Sequence, residues 1–204
     1  METTVSQIGL PCCWPMKPPT LHTKRLLLRR WAGDDREVFA QINADPEVMR
    51  YRFKPLTRQE SYDLIDNIEA CFDQHCFGQW AVERIEDRRV IGFIGLEVAD
   101  DDSPFSPQVH IGWHLDRDAW GYGYATEGAT GALDYVFEVV GLPEVVSHTT
   151  SANEQSQAVM RRLGMRHNTD DDFDGPWYPV GHPHRRFVLY RVTAVDWRAR
   201  RPRG

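Results

Sequence analysis

Six consecutive residues, Trp120-Gly121-Tyr122-Gly123-Tyr124-Ala125, have the make-up of an anion site. An apolar, strand-like run at 109–115 leads into them, and a helix-patterned run at 125–140 leads out. Glycine lets a backbone turn sharply and come close to a ligand. The N–H groups of a first helical turn then face an anion, aided by the helix dipole. The chemistry expected here is phosphate binding. Two common phosphate motifs are excluded. No Gly-Lys-Ser/Thr follows, as a P-loop requires, and Thr126 stands where a dinucleotide fingerprint needs its third small residue. The same Gly-x-Gly also suits a tight strand-to-helix turn with no ligand.

A second constellation lies downstream. Asn153-Glu154-Gln155-Ser156 opens a helix-like segment that closes on Arg162-Leu163-Gly164-Met165. Together the two stretches resemble the GNAT superfamily of acyl-CoA-dependent N-acetyltransferases, and within it the RimJ/RimL-like branch. The family signature, Gln/Arg-x-x-Gly-x-Gly/Ala, wraps the pyrophosphate of coenzyme A. Gly123 and Ala125 match its second half, and Trp120 replaces the leading Gln/Arg, a departure associated with the RimL-like branch. The second stretch is similar to the family's Asn-x-x-Ser/Ala helix ending in Leu-Gly-Phe/Met. In element order the resemblance runs from residue 21 to about residue 195.

The resemblance implies acetyl transfer from acetyl-CoA, as cosubstrate, directly to a primary amine on a protein N-terminus or a small molecule, in a ternary complex. Such a step needs an in-line amine, a base for its proton, a donor for the oxyanion and a proton for the leaving thiolate. A free α-amine titrates near ~7.7–8.0, so a modest base suffices. By the same resemblance the backbone of Ile111, Trp113 and Leu115 receives the pantetheine arm. Trp120, Gly121, Tyr122, Gly123, Tyr124, Ala125 and Thr126 receive the pyrophosphate, Asn153 the pantetheine amide, and Ser156 lies at the leaving thiolate.

The candidate bases are His110, where similar members often carry glutamate, and Glu97. A histidine packed at the sheet surface and a solvated strand-end carboxylate are the competing readings. Many members use a tyrosine as acid where this chain has Met160, so the acid role passes by analogy to Ser156. Asn153 equally suits a helix N-cap. No cysteine lies near either stretch, which argues against a covalent cysteine intermediate. The acceptor site implied by the family comprises 45–62 and 170–184. The second segment sets Asp170, Asp171, Asp172 and Asp174 beside Trp177, Tyr178, His182 and His184, which suits an ammonium group and equally suits an exposed, turn-rich loop.

Strand and helix patterns flank both stretches. Residues 26–31 alternate as a half-buried strand, and Asp34 and Asp35 open a helix bearing Val38, Phe39 and Ile42 that ends at Asp45-Pro46. Thr57 with Glu60 forms a capping box, followed by Tyr62, Ile65, Ile68 and Phe72 at helical spacing. A hairpin spans 79–84 and 90–98, and Asp100-Asp101-Asp102-Ser103-Pro104 is a loop. In the helix after the glycine turn, Gly128 and Gly131 each cost about 1 kcal/mol against alanine, so close packing is their expected reason. Gly141-Leu142-Pro143 stops it, a strand follows at 145–150, and two late strands include 187–192. The expected fold is α/β (α+β): one GNAT-type domain, a mixed, mostly antiparallel twisted sheet of about seven strands with helices on both faces.

The chain of 204 residues is 41% hydrophobic and 26% charged, as one globular domain should be. The expected organisation is an irregular Pro-rich arm at 1–20, the domain at 21–197 and a basic tail at 198–204. The net charge of −6, despite four arginines in that tail, argues against nucleic acid and suits a cationic acceptor. No apolar run is long enough for a membrane span, and no secretion signal opens the chain. Four cysteines make no disulfide framework, and Cys71, His75 and Cys76 lack zinc-ligand spacing, so no metal is expected and the cytoplasm is the expected compartment. A homodimer is compatible with these features, although no residue pattern fixes the oligomeric state. Two alternatives stay open: a GNAT-fold sensor that binds acyl-CoA without turnover, and a nucleotide-binding module on the same turn.

Overall fold

The computed structural model describes residues 18–99, 105 and 108–200. Residues 1–17 of the expected arm, the loop at 100–104 and the tail arginines Arg201 and Arg203 lie outside the described residues. The rest fall into two compact units. One holds residues up to Glu97 together with Gly112–Leu133; the other holds Val98–Ile111 and the residues from Asp134 on.

The first unit contains β1 (Leu21–His22), β2 (Leu26–Arg29), α1 (Asp35–Ala44), α2 (Arg58–His75), β3 (Gln79–Arg84) and β4 (Val90–Ala99, as far as Glu97). The second half of β5 (Gln108–Leu115) and most of α3 (Tyr124–Tyr135) also belong to it. β1 to β4 pair antiparallel in chain order. β4 is buried at every residue from Val90 to Leu96, as a strand covered on both sides must be. Its successive side chains show why: Phe93 packs with Phe39 of α1 and Ile65 of α2, while Ile94 meets α3 at Gly128. A Cβ on Gly128 would stand 2.4 Å from the Ile94 side chain, which is the close packing expected of that glycine.

Local signals fix the two helices. Thr57 and Glu60 complete both halves of the capping box. At the start of α1 the acidic pair acts differently from a cap: Asp34 makes no side-chain cap bond, and Asp35 is drawn to Arg29 of β2 at 2.7 Å. That guanidinium also meets Glu83 at 2.8 Å and ties β2, β3 and α1 together.

The second unit begins with the first half of β5 and continues through a π-helical turn, Val136–Val140, which extends α3. Then come β6 (Glu144–Thr150), α4 (Glu154–Arg162), β7 (Arg166–His167), β8 (Phe173–Asp174), β9 (Arg186–Thr193) and α5 (Ala194–Ala199). β5 and β6 are parallel, whereas β9 is antiparallel to β6, β7 and β8. The strands described number nine rather than seven. The two extra strands are β1 and one of the short pair β7 and β8; all three are two residues long, too short to show an alternating pattern. Of the tail arginines, Arg198 lies inside α5 and bonds Glu138 and the Phe137 carbonyl, and Arg200 donates to the Arg162 carbonyl at the end of α4.

Candidate active site

In the first unit the site residues gather at the end of β5. After Leu115, Asp116 caps a 3-10 turn, Arg117–Ala119, and Trp120 donates its indole N–H to the Leu115 carbonyl at 2.9 Å. Trp120 thus folds the turn back onto the strand, a use of this side chain that its sequence position did not reveal. Gly121 and Gly123 both have φ of +82°, a conformation that costs an L side chain strain, so these two positions require glycine. Helix α3 starts at once, with the Glu127 N–H reaching the Gly123 carbonyl at 3.0 Å. The N–H groups of its opening turn, Tyr124, Ala125 and Thr126, have no intrahelical carbonyl to meet. Tyr122 and Tyr124 stack at 5.7 Å, with Tyr122 exposed and Tyr124 buried.

Glu127 anchors this turn from the inside. Its carboxylate accepts from the Thr23 hydroxyl, the Arg25 backbone N–H and the Arg25 guanidinium, each at 2.7 Å. Those bonds outweigh its burial and lower its pKa. Arg25 also lies over the Tyr124 ring, 4.6 Å from its centroid. Glu97 is exposed near the end of β4 and accepts from Gln79 at 2.9 Å.

In the second unit the ladder between β5 and β6 is a single residue pair, His110 opposite Val146. Next to it side chains take over. Ser147 donates from Oγ to the Ile111 carbonyl at 2.8 Å, and the His148 backbone N–H donates to His110 Nε2 at 3.3 Å. The His110 and His148 rings lie 4.5 Å apart. His148 sits among aromatics: Phe105 at 5.1 Å, Phe187 at 5.5 Å, Phe173 at 5.8 Å and a near-parallel Trp177 at 6.0 Å. In sequence His148 is one residue of the strand at 145–150, because every partner that marks it is distant along the chain.

Thr149 turns the other way from His148, toward the start of α4. Asn153 is the N-cap there, accepting the Ser156 N–H on Oδ1 while donating from Nδ2 to Thr149 Oγ1 at 3.0 Å and Ser156 Oγ at 3.2 Å. Ser156 Oγ accepts in that bond, and a hydroxyl that accepts can donate its O–H as well. Met160 is buried in the core. α4 ends at Gly164, φ +69°, and Leu163 and Met165 are buried on either side of it.

The acidic loop at 170–174 is already partnered. Asp171 meets Arg191 at 2.9 Å, Asp174 meets Arg185 at 3.3 Å, and Asp172 hydrogen-bonds the His167 ring at 2.7 Å. Tyr178 stacks on His182 at 4.6 Å, and His182 Nδ1 accepts the His184 N–H at 3.1 Å, so the His-Pro-His stretch is a locked turn. What remains beside His148 is an aromatic surface, with Trp177 partly open to solvent.

Comparison with known proteins agrees with this arrangement. The family model described as acetyltransferase (GNAT) domain matches residues 25–166. The FsC-acetyl coenzyme A-N(2)-transacetylase of Aspergillus fumigatus is 32% identical over 187 residues, covering 88% of this chain and 78% of that protein. Among solved structures, an acetyltransferase from Agrobacterium tumefaciens is similar at 28% identity with a TM-score of 0.68, covering 85% of this chain and 94% of that one. Mycobacterium smegmatis RimJ, solved with CoA-disulfide, shares the fold at 18% identity and a TM-score of 0.70, covering 88% and 89%. This chain belongs to the GNAT family and is an acyl-CoA-dependent N-acetyltransferase with acetyl-CoA as its cosubstrate.

Proposed function

We propose that the enzyme passes acetyl from acetyl-CoA directly to a primary amine in a ternary complex, as a member of the RimJ/RimL-like branch. The single observation that carries this reading is the turn at 120–126, with two left-handed glycines directly before the opening N–H groups of α3. Anionic oxygens of the pyrophosphate suit those donors and the positive end of the helix dipole. Along β5 the backbone of Ile111, Trp113 and Leu115 is assigned to the pantetheine arm. At α4 Asn153 holds Ser156 with its oxygen as acceptor, which supports Ser156 as proton donor to the departing thiolate. His110 and Glu97 are the candidates for receiving the amine proton.

The acceptor is a nitrogen of a protein N-terminus or a small molecule. The Aspergillus relative is named for an N(2) nitrogen, which supports a small-molecule amine. The arginines already paired with Asp171 and Asp174, and the hydrogen bond Asp172 makes to His167, make a polycation a poor fit for that loop. The enzyme is placed in the cytoplasm, where Cys71 and Cys76 remain thiols, and a homodimer is compatible with this reading. The test is CoA release, followed with a thiol reagent, over spermidine, L-ornithine, kanamycin and a peptide with a free N-terminus. Turnover on at least one amine is expected. Tight acetyl-CoA binding with no turnover on any amine would replace the enzyme reading with that of a sensor.

A further inference from the structure

We infer that His148, rather than His110, takes the proton from the attacking amine, and that His110 is the positioning residue that holds it; this rests on the transfer reaction proposed above. His110 Nε2 accepts the His148 main-chain N–H, so a neutral His110 ring carries its proton on Nδ1. A second proton at Nε2 would set one N–H against another. The lone pair that a base needs is therefore already used to pin β6 beside the single residue pair that joins it to β5.

His148 follows one residue beyond Ser147, whose hydroxyl makes the other side-chain tie to β5. Its ring faces His110 and the aromatic group formed by Phe105, Phe173, Trp177 and Phe187. Aromatic faces keep bulk water away from the ring and are favourable neighbours for the imidazolium that forms on proton uptake. The next residue, Thr149, points to the opposite face of β6, where Asn153 binds both it and Ser156. β6 thus has a histidine on one face and the serine cap on the other. The amine proton and the thiolate proton are handled on different sides of one strand.

The amine nitrogen forms a bond to the acetyl carbonyl carbon while its N–H proton goes to His148. Collapse of the tetrahedral intermediate breaks the C–S bond, and the electron pair leaves on sulfur. The thiolate takes a proton from Ser156, which regains one from solvent, and the His148 imidazolium returns its proton to solvent. Amine and acetyl-CoA become amide and CoA thiol, with no change of oxidation state.

The test has two arms on the full chain. In the first, long-range imidazole NMR of the ¹⁵N-histidine-labelled protein, with and without CoA, should show His110 with Nε2 unprotonated and His148 titrating as a separate ring. His110 protonated on Nε2 at neutral pH would overturn the inference without any variant being made. In the second, pH profiles of kcat/KM are compared for wild type, His148→Gln and His110→Gln, using the panel amine on which wild type turns over fastest. His148→Gln should lose about 100-fold in kcat and lose the acidic limb of the profile. His110→Gln, which keeps an acceptor for the β6 amide, should retain that limb. The acidic limb lost in His110→Gln and kept in His148→Gln would reverse the assignment. Absence of wild-type turnover on every amine would sink the transfer reaction itself and leave the NMR arm to judge the tautomer.

Discussion

Asn153 divides its amide between a cap and the proposed proton donor: Oδ1 closes the first turn of α4, and Nδ2 is shared by Thr149 and Ser156. Removing the serine hydroxyl leaves the cap in place, because Asn153 bonds the backbone N–H of residue 156 and not its side chain. Ser156→Ala is therefore expected to lower kcat by roughly 10–100-fold with little change in acetyl-CoA affinity. Calorimetric Kd values and steady-state rates would check this, and wild-type kcat would remove Ser156 from the mechanism. At the glycine turn, Ala125→Asp places a negative charge at the proposed pyrophosphate site without the backbone strain that substituting Gly123 would bring. CoA affinity is expected to fall at least about 10-fold at low salt; unchanged affinity would mean that phosphate binds elsewhere. Both motifs stand out in the sequence because each is local, the glycine turn within six residues and the α4 segment within thirteen. His148 was not, because the residues that mark it, Phe105, Phe173, Trp177 and Phe187, come from four separate positions that only the fold assembles.

At the scale of elements, the strands that showed a long apolar or alternating run were readable, as β4 and β5 illustrate, and so was α2 through its capping box. β7 and β8 exist only because β9 offers them partners, and no period can be read from two residues. The packing of β4 against β5 was equally hidden. Gly92 has φ of +127°, and a Cβ there would lie 2.0 Å from the His114 carbonyl oxygen, a backbone atom that has nowhere to go. Gly92→Ala is expected to destabilise the protein by about 3 kcal/mol or more, seen as a lower urea midpoint with unchanged m-value. A midpoint equal to wild type would show that β4 and β5 do not approach in this way. The substitution lies outside both motifs, so residual folded protein should still bind CoA.

For the molecule as a whole, the acid limit of stability is expected to depend on one buried ring. His114 stacks on Phe93 at 5.6 Å, meets Phe39 edge-on at 6.1 Å, and among the described residues finds no partner for Nε2. Burial, with a smaller effect from Arg52, lowers its pKa to about 3. The native state thus keeps the ring neutral, while the unfolded chain protonates it near ~6.5. Its contribution is present in full above that pH and is lost as pH falls toward 3, amounting to about 2 kcal/mol by pH 5. His114→Phe should lose that much less stability between pH 7 and pH 5 than wild type, as denaturant titrations at the two pH values would report. Equal losses in both proteins would show that His114 is solvated or paired in the native state. The family and its cosubstrate follow from the matched domain at 25–166, whereas direct transfer within a ternary complex is the proposal made for this enzyme. Initial velocities, with acetyl-CoA varied at several fixed concentrations of the amine that turns over, test that claim most directly. Intersecting reciprocal plots, with one N-acetylated product per CoA released, are expected for transfer within a ternary complex. Parallel plots, or acetylated enzyme accumulating before amine is added, would contradict it.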